Sequence, residues 1–262
     1  MTMPPSNIRA ILLDWAGTTI DYGSRAPTEV FIAIFRRRGI TITADEARGP
    51  MGRSKLDHIA AVAALPRVAE AWQARFGRVP SEDDVAAMYE EFLPLQKEVL
   101  ARGAHVIPGI PEAIQAFRDA GIAIGSTTGY TRALMDVVVP LAAAEGYSPD
   151  VVICSDEAPE GRPAPWMNLR AVERLNAYPL DACVAVDDTL VGIQAGRNAG
   201  MWTVGISQTG NALGMTEEEV AACPTSELES RLDQIDREFR EAGADMVVRS
   251  VADLPGVLLG QN

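Results

Sequence analysis

The sequence predicts an α/β protein, a doubly wound parallel sheet with a helical cap domain inserted after its first strand. Two observations carry this. Short apolar runs that read as buried strands alternate with helical patterns over residues 104–262, whereas residues 21–103 read as helix after helix. The expected division is an α/β core from residues 1–20 and 104–262 and a helical cap from residues 21–103. A length of 262 residues suits one or two domains, at roughly 100–200 residues each.

The first strand is expected at residues 8–14, where Ile11, Leu12 and Leu13 run continuously into Asp14. Helices are expected at 28–38, 54–64, 67–76 and 81–102. In the last of these, Ser81 followed by Asp84 has approximately the form of a capping box, which marks a helix start. A helix at 111–120 ends at Gly121 and leads into a strand at 122–127. A helix at 131–144 ends near Gly146, and strands follow at 151–154, 182–187 and 201–206. The acidic stretch 216–243 reads as helical, with a solvated face and core-facing Val and Leu positions.

Hydrophobic residues make up 47% of the chain, ample for a core. The formal net charge of -13 argues against a general nucleic-acid surface, which needs a basic footprint. An anionic small molecule remains possible where positive charge is concentrated locally. The three cysteines, Cys154, Cys183 and Cys223, are widely spaced and form no CxxC pair, which fits a reducing compartment. Residues 1–9 carry no apolar signal core, and no apolar run reaches the roughly 18 residues that span a bilayer. The expectation is a cytoplasmic protein with no membrane partner.

Ligands of open α/β sheets gather at the carboxyl ends of the strands. The first strand ends in Asp14-Trp15-Ala16-Gly17-Thr18 and the second in Ser126-Thr127-Thr128-Gly129-Tyr130. The third is followed by Gly161-Arg162-Pro163, and the fourth ends in Asp187-Asp188-Thr189. Any one of these alone is an ordinary turn, helix cap or surface charge. Together they bring an acid, a hydroxyl with a glycine, a cation and a second acid to one edge.

This ordered set resembles the four motifs of the haloacid dehalogenase superfamily, whose core is Rossmann-like. The resemblance implies that Asp14 attacks phosphorus, that Thr128, Gly129 and Arg162 bind the phosphoryl group, and that Asp188 holds Mg2+ together with Asp14 and the Ala16 carbonyl. The physics agrees, because a carboxylate and a phosphoryl group repel unless a hard cation stands between them. Asp187 precedes Asp188 on the strand and is expected to point to its other side, reaching the cation only indirectly. It is also placed to compensate for Gly192, since many members carry an acid four residues after the metal-binding Asp.

Phosphatases of this superfamily usually carry a second Asp two residues after the nucleophile, to protonate the departing alkoxide. Here that residue is Ala16. The helical region offers Lys55 and His58 three residues apart, on one face of a helix. This combination resembles the phosphonatase family, the phosphonoacetaldehyde hydrolases, over nearly the whole chain. The implied chemistry is cleavage of a C–P bond through a Schiff base on Lys55 and an aspartyl phosphate on Asp14. Met51, His58 and Tyr130 then surround the amine and assist proton transfers. Burial is expected to depress the Lys55 pKa so that the amine can react. The resemblance further implies a small-molecule substrate, phosphonoacetaldehyde, and a homodimer joined through cap helices. A phosphate-ester hydrolase or mutase of the same superfamily is the alternative.

Overall fold

The protein is described by a computed structural model covering residues 4–5 and 7–260. Met1–Met3, Ser6, Gln261 and Asn262 lie outside the described residues, and with them part of the N-terminal stretch and the outer ends of the expected core segments.

The first strand, β1 (Ala10–Leu13), is wholly buried. Five helices follow it: α1 (Arg25–Arg37), α2 (Ala44–Arg48), α3 (Lys55–Ala63), α4 (Pro66–Phe76) and α5 (Glu82–Gly103). The chain then alternates through α6 (Ile110–Asp119), β2 (Ala123–Thr128), α7 (Arg132–Ala144), β3 (Val151–Cys154), α8 (Trp166–Leu175), β4 (Cys183–Asp187), α9 (Leu190–Asn198) and β5 (Trp202–Ile206). It closes with α10 (Glu217–Ala222), α11 (Thr225–Glu241), β6 (Met246–Val248) and α12 (Leu254–Leu258).

The six strands form one parallel sheet in the order β3-β2-β1-β4-β5-β6. Chain direction across the sheet reverses at β1, so its carboxyl end lies at the switch point where such sheets bind ligands. Alternation along β1 serves both faces. Ile11 and Leu13 join the apolar layer under α6 and α7, while Ala10 and Leu12 join the layer under α8. The expected strands are present to within a residue or two. β6 was not expected from the sequence, because three half-buried residues make no periodic pattern.

The helices between β1 and α6 pack around an apolar cluster of their own, which includes Phe31, Phe35, Ile59, Val62, Trp72, Met88 and Phe92. Two segments join this insert to the sheet, and they bond to each other. Ile20 and Val106 form an antiparallel bridge, and the Asp21 N–H donates to the His105 carbonyl at 2.9 Å. α5 starts at a reciprocal capping box between Ser81 and Asp84, as the sequence predicts. α2 was not predicted, although Thr43 and Glu46 form the same kind of box at its start. No helix among the described residues is long and apolar enough to cross a membrane.

Candidate active site

Asp14 follows β1 directly, and its N–H bonds to the Val186 carbonyl of β4 at 3.0 Å. The chain then turns sharply: the N–H groups of Thr18, Thr19 and Ile20 all donate to the Trp15 carbonyl. Gly17 makes this turn possible, at φ +85°, and a Cβ there would lie 2.1 Å from an oxygen of Asp188. The turn thus sets Asp14 and Asp188 side by side.

Arg162 reaches in from the loop after β3 and is almost fully buried. Its Nη2 donates to Asp14 Oδ1 at 2.7 Å and to the hydroxyl and carbonyl oxygens of Thr127 at 2.9 and 3.1 Å. Its Nη1 pairs with Asp187 Oδ2 at 3.1 Å. Burial works against its charge, but Asp187 and Asp14 outweigh that and hold its pKa above the ordinary value. Burial pushes the Asp14 carboxyl up to about 7, against the opposing pull of Arg162 and with Asp187 adding to it. Asp188 is held well above the usual carboxylate range by burial, then by Asp14 and Asp187. Its Oδ2 accepts the Asn211 N–H at 2.7 Å.

Oxygens of Asp14, Asp187 and Asp188 lie within 4.8 Å of one another, all buried. The raised pKa values of Asp14 and Asp188 come first from burial, with the neighbouring carboxylates adding to it, and the single guanidinium does not offset the three acids. An all-oxygen anionic set suits a hard divalent cation, which would restore their ionised forms. Asp187 differs from the sequence-based expectation. It faces the same cluster as Asp188 rather than the opposite side, because the chain leaves the strand at this point and turns into α9.

The insert covers these strand ends. Ser54 caps α3, its hydroxyl accepting the Asp57 N–H at 3.3 Å, and this places Lys55 in the first turn of the helix. The Lys55 side chain is buried, with Nζ 4.8 Å from the ring centre of Tyr130 and 5.6 Å from that of Phe31. Burial lowers its pKa to about 8, against the pull of Asp14 and with Arg162 adding to the depression. The positive end of the α3 dipole acts in the same direction. Backbone contacts are close where the insert meets the core. A Cβ on Gly129 would lie 2.9 Å from the Arg53 carbonyl, and one on Gly52 would lie 2.4 Å from the Thr189 hydroxyl. Farther out, the Arg48 guanidinium of α2 donates to the carbonyls of Gly23 and Gly214 at 2.7 and 3.2 Å and to Asn211.

Between insert and core lies a cavity of about 20 Å³. Asp14, Ala16, Met51, Lys55, Thr128, Gly129, Tyr130, Arg162 and Asp188 all line it. His58, also expected here, does not. It is fully buried behind Lys55, its ring stacked on Phe31 with centroids 3.7 Å apart. Its Nε2 lies 2.7 Å from the Ala47 carbonyl, which can only accept, so the ring proton is assigned to Nε2. Burial, then the charge of Lys55, holds its pKa well below 6.5. His58 is therefore neutral, and its buried Nδ1 has no hydrogen-bond partner among the described residues.

Several residues at the site have no role that the sequence assigns. Thr127 shares Arg162 with Asp14, and Ser24 and Thr189 line the cavity. Gln96 of α5 is fully buried beside the Tyr130 hydroxyl, and none of these side-chain polar atoms has a geometrically sound partner among the described residues. Only tertiary contact reveals them.

A family model for haloacid dehalogenase-like hydrolases matches residues 8–200. The chain is 47% identical to a phosphonoacetaldehyde hydrolase of Syntrophobacter fumaroxidans over 251 residues, covering 96% of this chain and 91% of the relative. It belongs to the phosphonoacetaldehyde hydrolase family of the haloacid dehalogenase-like hydrolases. The phosphonoacetaldehyde hydrolase of Bacillus cytotoxicus is 46% identical over 96% of this chain and 95% of its own. The crystal structure of a phosphonoacetaldehyde hydrolase-like protein from Oleispira antarctica superposes with a TM-score of 0.95 at 37% identity, covering 99% of this chain and 94% of that one. Membership of this family of hydrolases makes the protein an enzyme, as the sequence reading expected.

Proposed function

We propose that the enzyme hydrolyses phosphonoacetaldehyde to acetaldehyde and phosphate, using Lys55 on the carbon side and Asp14 on the phosphorus side. The observation that carries this reading is the pairing of a buried amine, its pKa lowered to about 8, with the Asp14 carboxylate across one small cavity. The relatives named phosphonoacetaldehyde hydrolase support the choice of substrate.

Breaking a C–P bond directly would leave a carbanion. The Lys55 amine instead adds to the aldehyde carbon, and loss of water leaves a protonated imine. An Asp14 oxygen then attacks phosphorus. The C–P electron pair moves into the carbon skeleton, quenching the iminium to a neutral enamine. Protonation at carbon and hydrolysis of the imine return Lys55 and release acetaldehyde, and water releases phosphate from Asp14. Arg162 leaves Asp14 Oδ1 to bind a phosphoryl oxygen, joined by Thr128 and the Gly129 backbone. The free Nδ1 of His58 and the Tyr130 hydroxyl are suited to relaying the protons of imine formation, while Met51 excludes water beside the amine. Asp14, Asp188 and the Ala16 carbonyl would hold Mg2+, which when bound supplies the positive charge that lets a carboxylate approach a phosphoryl anion.

In this reading residues 21–103 act as a cap over the core, in a cytoplasmic homodimer joined through cap helices. An apolar groove between α3 and the start of α5, flanked by exposed Leu56 and Val79, supports such a contact.

Ala16 weighs against the phosphate-ester alternative, because an alkoxide would leave without a general acid. The test is incubation with phosphonoacetaldehyde and Mg2+, assaying acetaldehyde and phosphate together, beside a panel of phosphate esters. Equal release of both products is expected. Faster phosphate release from an ester would overturn the proposal.

A further inference from the structure

Gly192 is in the first turn of α9, where the superfamily pattern leads one to expect an acid. A Cβ built there would lie 1.9 Å from Cγ of Asp187 and 2.1 Å from each of its carboxylate oxygens. The Asp187 carboxyl group therefore fills the volume into which a side chain at 192 would project. The backbone of Gly192 needs no glycine on its own account, since it sits in a regular helix. What it accommodates is Asp187.

In that position both oxygens of Asp187 are engaged. Oδ1 accepts the N–H and the hydroxyl of Thr189 at 2.9 and 2.7 Å. The Thr189 hydroxyl in turn accepts the Gly192 N–H at 3.1 Å. Oδ2 faces Arg162 Nη1 at 3.1 Å, and Nη2 of the same guanidinium meets Asp14 at 2.7 Å. One continuous line of bonds runs from the start of α9 through Thr189, Asp187 and Arg162 to Asp14. An Arg fork held on one nitrogen presents the other in a fixed direction.

We infer that Asp187 is a positioning residue for Arg162, entering from the end of β4 through space that Gly192 leaves open, and that its work is on the phosphoryl side of the site rather than on the cation. The inference rests on the proposed function only in taking Arg162 as a phosphoryl ligand. Inorganic phosphate can therefore probe it whatever the substrate proves to be.

Two measurements test it. Calorimetry with D187N should show phosphate binding, in saturating Mg2+, weakened about tenfold, with Mg2+ affinity changed by less than about threefold. Weakening of Mg2+ affinity equal to or greater than that of phosphate would make Asp187 a cation ligand and overturn the inference. The steric part is read from thermal melts of the protein without added ligand, in a cycle of G192A, D187G and D187G/G192A. With Asp187 in place G192A should lower the Tm, because the methyl meets the carboxylate. In the D187G background the same change should raise it, because a helix interior favours Ala over Gly. The same sign in both backgrounds would show that Gly192 does not make room for Asp187. Loss of phosphonoacetaldehyde turnover is not used in either arm, so failure of the functional proposal leaves both readable.

Discussion

The insert and the sheet treat charge in opposite ways. At the strand ends, carboxylates are buried close together, and burial first, then their neighbours' charge, raises the pKa values of Asp14 and Asp188. In the insert, a buried amine has no carboxylate bonded to it among the described residues, and its pKa falls to about 8. In the proposed function the core holds the phosphoryl group, whereas the insert supplies the amine that lets a C–P bond break.

The largest expected effect comes from erasing the insert's contribution. Lys55→Met should abolish C–P cleavage by at least about 10³-fold, roughly 4 kcal/mol of barrier, while phosphate affinity measured by calorimetry stays within a few-fold. The same change should stabilise the fold. Lys55 titrates near 10.5 unfolded and about 8 folded, so below pH 8 the folded protein bears the full cost of burying the charge, on the order of 3 kcal/mol. That cost declines as pH rises from about 8 to 10.5. Thermal melts should therefore show the variant more stable than wild type at pH 7 and the difference fading towards pH 10.5. A loss of phosphate affinity matching the loss of turnover would mean the two regions are not separable.

Ala16→Asp blurs the division by placing an acid beside the amine. It should raise the Lys55 pKa and suppress imine formation, lowering turnover at least about tenfold, or ~1.4 kcal/mol. Unchanged rates would mean the cavity is more open than its lining suggests. For the unaltered enzyme, the reactive form of Lys55 is the free amine, which gains population as pH rises to about 8. Below that pH, log kcat/KM should drop by about one unit per pH unit, and a profile flat from pH 6 to 8 would contradict the assignment. The smallest effect is expected at Arg48, whose guanidinium straps α2 to the core through Gly23, Asn211 and Gly214. Arg48→Ala should raise KM about threefold, roughly 0.7 kcal/mol, with a smaller change in kcat.

The core was the more legible half. Strands are short apolar runs, and their ends deliver Asp14, Thr128, Arg162 and Asp188 in chain order, so local pattern and topology together locate a site. Ala16 and Lys55 also stand out in the sequence, one where the pattern has an acid and the other three residues before a histidine, and both line the cavity. What stayed hidden depends on approach between distant segments. Nothing local ties Arg48 to Asn211, and nothing local stacks His58 on Phe31. Gly192 lacks the acid of the superfamily pattern, and the Asp187 carboxylate fills the space that a side chain there would take. The α2 helix is a different kind of miss, since Thr43 and Glu46 had the spacing of a capping box in plain view.

Between insert and sheet, the space open to a water-sized molecule is only about 20 Å³, so in the proposed function admitting a phosphonate would require some widening between them. In the proposed cycle the insert would move from the sheet to admit substrate and return over it. Parting re-hydrates Lys55 and breaks the Arg48 strap, and closure reverses both. Motions of this kind run in microseconds to milliseconds. If that motion limits turnover, changes at Asp14 or Lys55 would not raise the rate, and thickening the solvent should slow a good substrate more than a poor one.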